Sequence, residues 1–208
     1  MQQVLVYGDS LSWGIIPGTR ERLPFGQRWP NILEAQLEQP VRVIEDCLNG
    51  RRTVWEDPFK SGRAGIVGLE QRIEVNSPLD LVILFLGTND FQSMHPHTAW
   101  HAAQGVAHLV RAIRSAPIEP SMTVSPILII APPAPQAATG TMQDKFAGAE
   151  DKAIGLAQHL ADVAEQHNCA FFDAGSVITT SPIDGVHLEA EQHRTLGNAL
   201  IKVVAGLL

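Results

Sequence analysis

With 208 residues, 45% of them hydrophobic and 18% charged, the chain is long enough to bury a core of its own and unlike a disordered segment. Its formal net charge of −7 argues against nucleic acid as a partner. No apolar run approaches the ~20 residues of a membrane-spanning helix, so integral membrane association is not expected.

The first predicted strand, Gln3 to Tyr7, begins almost at Met1 and leaves no room for a signal peptide. A cytoplasmic location follows by default, although a processed secreted form would look the same. The next strands are Val41 to Asp46, Leu81 to Leu86, Ile127 to Ala131 and Ala170 to Asp173. The third is continuously apolar, as suits a parallel strand covered on both faces. Helical periodicity is expected over Trp29–Leu37, Ala64–Val75, Thr98–Ser115, Glu150–His167 and Glu189–Leu207. This alternation indicates an α/β fold: a three-layer α/β/α sandwich with a five-stranded parallel sheet, occupying residues 1–208 as a single domain. The Pro- and Ala-rich stretch 132–141 reads as a loop on the active face, and 17–28 as a second irregular loop rich in Gly, Pro and Arg. Cys47 and Cys169 are the two cysteines, too few for a disulfide framework, and are expected to be buried and reduced.

Four short segments carry chemistry. Gly8-Asp9-Ser10-Leu11, Asn49-Gly50 and Gly87-Thr88-Asn89-Asp90 each follow a predicted strand, and Asp184-Gly185-Val186-His187 precedes the last helix. In an open parallel sheet, residues just past the carboxyl ends of strands meet at one crevice. Ser10 is the candidate nucleophile, needing a base to take its proton. His187 is the candidate base, with Asp184 placed to orient its imidazole. The Ser10 and Gly50 backbone N–H groups and the Asn89 amide are candidate oxyanion donors, and Asp9 is read as fixing the turn. Each residue also has a plainer reading: Ser10 as a helix cap, Asn89 as a turn residue, Asp184 as a helix start. Trp13, Phe91 and Phe146 fall near the loops that would line an apolar substrate pocket, or pack in the core. His95, His97 and His101 include a pair spaced for zinc, but no third ligand is apparent. They are read as a solvated helix start, with no metal and no cofactor expected.

On these segments the chain resembles the SGNH/GDSL hydrolase family along nearly its whole length. More narrowly, Gly-Asp-Ser-Leu-Ser-Trp-Gly at 8–14, Val-Ile-Glu-Asp at 43–46 and Phe-Phe-Asp-Ala-Gly-Ser-Val-Ile at 171–178 resemble bacterial arylesterase/acyltransferase members. The resemblance implies a flavodoxin-like strand order, with Ser10, Asp184 and His187 as triad and Gly50 and Asn89 as oxyanion donors. It implies a serine esterase acting on small, short-acyl carboxylic esters, with acyl transfer or perhydrolysis where the pocket disfavours water. Cys47 stands where a small residue such as glycine is expected in such relatives. The segment 17–28 is shorter than the loop they use in oligomer contacts, which argues against a large assembly. Two rivals are a lysophospholipase or thioesterase acting on longer acyl chains and a non-catalytic flavodoxin-like binding module.

Overall fold

The computed structural model describes residues 1–208. Its elements in chain order are β1 (Gln2–Gly8), α1 (Ser10–Trp13), α2 (Trp29–Gln36), β2 (Val41–Cys47), α3 (Leu69–Asn76), β3 (Leu81–Phe85) and α4 (Ala99–Ser115). There follow β4 (Ile127–Ala131), α5 (Ala149–Lys152), α6 (Leu156–Gln166), β5 (Ala170–Asp173) and α7 (Ala190–Ala205). All five strands are parallel, in the order β2-β1-β3-β4-β5. This is the flavodoxin-like order, with its switch point between β1 and β3.

Strand alternation divides the core in two. Val4 and Val6 of β1, Leu81, Ile83 and Phe85 of β3, and Leu128 and Ile130 of β4 face α2 and α7, meeting Trp29, Leu33, Leu196 and Leu200. Leu5 and Tyr7, Val82 and Leu84, and Ile127 and Ile129 face the other way, toward α3, α4 and α6. Both faces of β3 are therefore covered, which explains its unbroken apolar run. Neither layer could bury its apolar face without the sheet between them.

Two helices differ from the sequence expectation. The segment expected as Ala64–Val75 becomes helical only at Leu69, because residues 64–66 pair with the chain at 52–53 instead. The Gly65 N–H donates to the Arg52 carbonyl and the Ile66 N–H to that of Thr53, at 3.1 and 3.0 Å. The helix expected over Glu150–His167 is two, α5 and α6, separated where Gly155 adopts a left-handed φ of 84°. Both cysteines are free thiols, half-buried rather than buried. No helix is long and apolar enough to cross a membrane.

Register is what positions the site. Gly8 pairs with Cys47 on one side and with Phe85 on the other. The turns after β1, β2 and β3 therefore leave the sheet at one level, and the segments they carry open into the same space.

Candidate active site

Asp9 caps the short helix α1 by accepting the Leu11 N–H at 2.9 Å. This aims the first turn, and Ser10 with it, out of the sheet. Ser10, Asn49, Gly50, Asn89 and His187 line one cleft of about 50 Å³. A cavity of about 450 Å³ between the end of β4 and α6 is larger, but it holds no nucleophile beside a base.

His187 reaches the cleft on a buried turn between β5 and α7. Its Nδ1 donates to Asp184 Oδ2 at 2.7 Å, while Asp184 Oδ1 accepts the backbone N–H groups of Val186 and His187 at 3.0 and 2.9 Å. Gly18, from the loop after α1, is the fourth donor to this carboxylate, its N–H reaching Oδ2 at 3.1 Å. Burial opposes ionisation of Asp184, but the His187 imidazole and these backbone donors outweigh it and hold the carboxyl well below the usual carboxylate range. The loop at 132–141 clamps the same turn: the Gln136 and Thr139 N–H groups donate to the carbonyls of Gly185 and Asp184. Only glycine fits at 185, where φ is +77° and a Cβ would lie 2.7 Å from the Ala137 carbonyl oxygen.

Ionised Asp184 can only accept, so the shared hydrogen lies on Nδ1, and Nε2 is the ring nitrogen not engaged by Asp184. Ser10 and His187 share the cleft without a hydrogen bond between them. Catalytic hydrogen bonds are often long or absent in unliganded proteins.

Three donors belong to residues that line this cleft. Neither the Ser10 nor the Gly50 backbone N–H is taken by a protein acceptor. The Asn89 amide is oriented from both ends. Its Nδ2 donates to Asp9 Oδ2 at 2.8 Å, and its Oδ1 accepts Gln92 Nε2 at 2.8 Å. Gln92 is held in turn by Arg52, which pairs with Asp57 at 3.0 Å. This chain fixes which end of the amide is nitrogen, leaving its second N–H for the cleft. Asp9 therefore does more than fix its turn. Burial pushes its carboxyl up to about 6, against the pull of the Leu11 and Asn89 hydrogen bonds. The loop bearing Asn89 is anchored through Asp90, which accepts the Thr53 backbone N–H at 3.1 Å.

The aromatic candidates part company. Phe146 lines the cleft with Ile15 and Met142. Phe91 is wholly buried in the core beneath α4 and does not line it, because its short helical turn points the ring inward. Trp13 lies outside the lining, half-buried under the Arg22 guanidinium, 4.6 Å from the ring centre. The histidines near α4 are not a solvated helix start. His97 is buried and stacked on Trp55 at 4.0 Å, and His95 stacks with it at 4.8 Å. His101 closes a capping box with Thr98. No group of three or more His, Cys, Asp or Glu side chains is arranged to hold a metal ion.

Sequence reasoning missed the basic side chains of the cleft, Arg20, Lys60, Arg63 and Lys145. Three separate loops bring them there. The only signal available was the run of arginines at 20–28, already noted as a loop.

Residues 6–195 match the model of the GDSL-like lipase/acylhydrolase family. No curated protein matches the chain. Among solved structures, a carbohydrate acetylesterase family member from Sinorhizobium meliloti is 36% identical, with a TM-score of 0.95, covering 100% of this chain and 99% of its own. A second carbohydrate acetylesterase from Sinorhizobium meliloti, Est24, is 33% identical at a TM-score of 0.95, with full coverage of both chains, 100% and 100%. The native aryl esterase of M. smegmatis is also 33% identical at 0.95, again covering 100% of each chain.

Proposed function

The chain belongs to the GDSL-like lipase/acylhydrolase family and is a carboxylic ester hydrolase; from that premise we propose that it cleaves short-acyl esters of small alcohols through a covalent acyl-enzyme on Ser10. What supports this reading is convergence. A serine, a histidine paired with an ionised aspartate, and three uncommitted donors share one cleft although they come from four separate segments.

In this mechanism the Ser10 Oγ forms a bond to the ester carbonyl carbon while its proton passes to His187 Nε2. The Ser10 and Gly50 N–H groups and Asn89 Nδ2 hold the negative oxygen of the tetrahedral intermediate. Asp184 stabilises the imidazolium without taking its proton. The intermediate collapses as the bond to the alcohol oxygen breaks, and Nε2–H protonates that oxygen. Water then attacks the acyl-enzyme and gives its proton to Nε2. Collapse releases the acid, and the same proton restores the Ser10 hydroxyl.

The size of the cleft favours a short acyl group. At about 50 Å³ it is closer to the size of an acetyl group than to that of a fatty chain. That favours the acetylesterase and arylesterase reading over a lysophospholipase or thioesterase. With only Ile15, Met142 and Phe146 as apolar lining, water is not kept out, so hydrolysis should prevail over acyl transfer.

The test is a series of 4-nitrophenyl esters of increasing acyl length, with wild type and Ser10→Ala. Turnover should peak at two to four carbons (about the size of the cleft) and vanish in the variant. A serine-directed organophosphate should label wild type at Ser10. Full activity in Ser10→Ala would remove the nucleophile assignment, and a preference for long chains would favour the lysophospholipase.

A further inference from the structure

An acidic chain has lined its cleft with cations. Arg20, Lys60, Arg63 and Lys145 surround Ser10 and His187, yet none of the four belongs to any ion pair in the molecule. Asp57 is the one acid lining the cleft beyond the catalytic turn, and its charge is committed. Its Oδ2 pairs with Arg52 at 3.0 Å, and its Oδ1 accepts the Phe59 and Lys60 N–H groups at 2.8 and 3.1 Å.

Two of the cations are held inward. Arg63 is half-buried, and its Cδ passes 3.7 Å from the position a Cβ at Gly50 would occupy. Its guanidinium donates only to the Ser61 and Gly62 carbonyls, while its Nε is buried with no acceptor at all. Lys145 is half-buried beside Phe146, with its Nζ 6.0 Å from the ring centre. Burial lowers the pKa of its ammonium, Asp57 opposes this, and the charges of Arg52, Arg20 and Lys60 lower it further. These cations thus act on one another across a shared space. Arg20 and Lys60 are exposed at its mouth.

Clustering four cations around one carboxylate that is already paired with Arg52 is unfavourable unless something anionic occupies the space between them. A neutral aryl or alkyl ester leaves that repulsion unrelieved. We infer that the substrate is an ester whose alcohol portion carries a carboxylate, sulfate or phosphate, with the short acyl group seated by Ser10 and the anion held by Arg20, Lys60, Arg63 and Lys145. The charge is assigned to the alcohol portion because an acetyl-sized acyl group has no position for an anion, whereas a larger alcohol portion can extend to the exposed side chains of Arg20 and Lys60. This inference rests on the esterase reading above and names the substrate class of that same site.

The experiment compares acetyl esters of matched shape: 4-acetoxybenzoate, 4-acetoxybenzenesulfonate, methyl 4-acetoxybenzoate and (4-acetoxyphenyl)trimethylammonium. Each kcat/KM is divided by the ester's hydroxide-catalysed rate, which removes differences in leaving-group reactivity. At about 10 mM ionic strength, where the Debye length is ~30 Å, both anionic esters should exceed the neutral one by about tenfold or more. The cationic ester should fall below it. The advantage should shrink toward unity at about 1 M salt, where screening acts within ~3 Å. Arg20→Gln and Lys60→Met, both at exposed positions, should each cut the anionic-to-neutral ratio several-fold. Lys202→Met removes the same charge from the distant last turn of α7 and should leave the ratio as it was. Carboxylate and sulfonate behaving alike points to charge as the recognised feature, and a preference for one identifies the anion. A ratio near one at low salt, with Ser10-dependent turnover of the neutral ester intact, would overturn this inference and leave the esterase reading standing. Failure to turn over any of the four would overturn both.

Discussion

His187 and His193 flank the start of α7, both buried, and they do opposite work. His187 donates from Nδ1 to a carboxylate and presents Nε2 to the cleft. His193 instead accepts at Nδ1 from the Trp29 backbone N–H at 3.2 Å, and its Nε2 ends in the protein interior without a partner. One imidazole has a partner that stabilises a positive charge. The other has a partner that only a neutral ring can accept from. Residue type and burial are shared; the hydrogen-bond partner of Nδ1 decides whether the ring can cycle a proton.

The contrast can be broken most decisively at His187. His187→Ala should keep the fold and lower kcat by roughly 10⁴-fold or more, since nucleophile and base act as a unit. A variant within tenfold of wild type would end the base assignment. Asp184→Asn should cost on the order of 10⁴ in kcat, because an amide at that position no longer enforces the tautomer that frees Nε2. Asn89→Ala should cost ~10²–10³ in kcat with KM little changed, as suits a donor that acts on the oxyanion. A loss below tenfold would return Asn89 to the role of a turn residue.

His193→Ala sharpens the comparison from the other side. It should leave kcat per folded molecule unchanged but cost about 2–4 kcal/mol of stability, from the void and the orphaned Trp29 N–H. Urea unfolding midpoints would measure this. The smallest effect expected is on pH dependence. Burial, reinforced by Arg28, pushes the His193 imidazole down to about 3, below its ordinary value near ~6.5. Between those values the unfolded chain binds more protons than the folded one, so the stability linked to His193 is lost as pH falls through that window. The stability gap between wild type and His193→Ala should therefore narrow from about pH 7 to pH 4. A constant gap would mean that His193 is not held neutral.

Much of this architecture was legible along the chain. β3 announced itself because a strand covered on both faces must be apolar throughout, and the four loop segments were marked by Gly, Ser, Asn and His at strand ends. The register that levels Gly8 with Cys47 and Phe85 was not legible, nor was the break at Gly155, because a single glycine is tolerated in many helices. Which of Trp13, Phe91 and Phe146 lines the cleft and which packs elsewhere was not legible, because sequence proximity to a loop does not say which way a ring points. The network through Asp9, Asn89, Gln92 and Arg52 could not be read in advance, since its members meet only after folding.

Local chemistry along this chain determined the parallel α/β class and which side chains are candidates for acyl transfer, because strand burial and nucleophile type are properties of short segments. Packing decided which histidine lines the cleft, which amide is held between Asp9 and Gln92 and which cations line the same space. Those depend on distances between residues far apart in the chain, and hydrogen bonding and charge act only across such distances once the loops have been brought together.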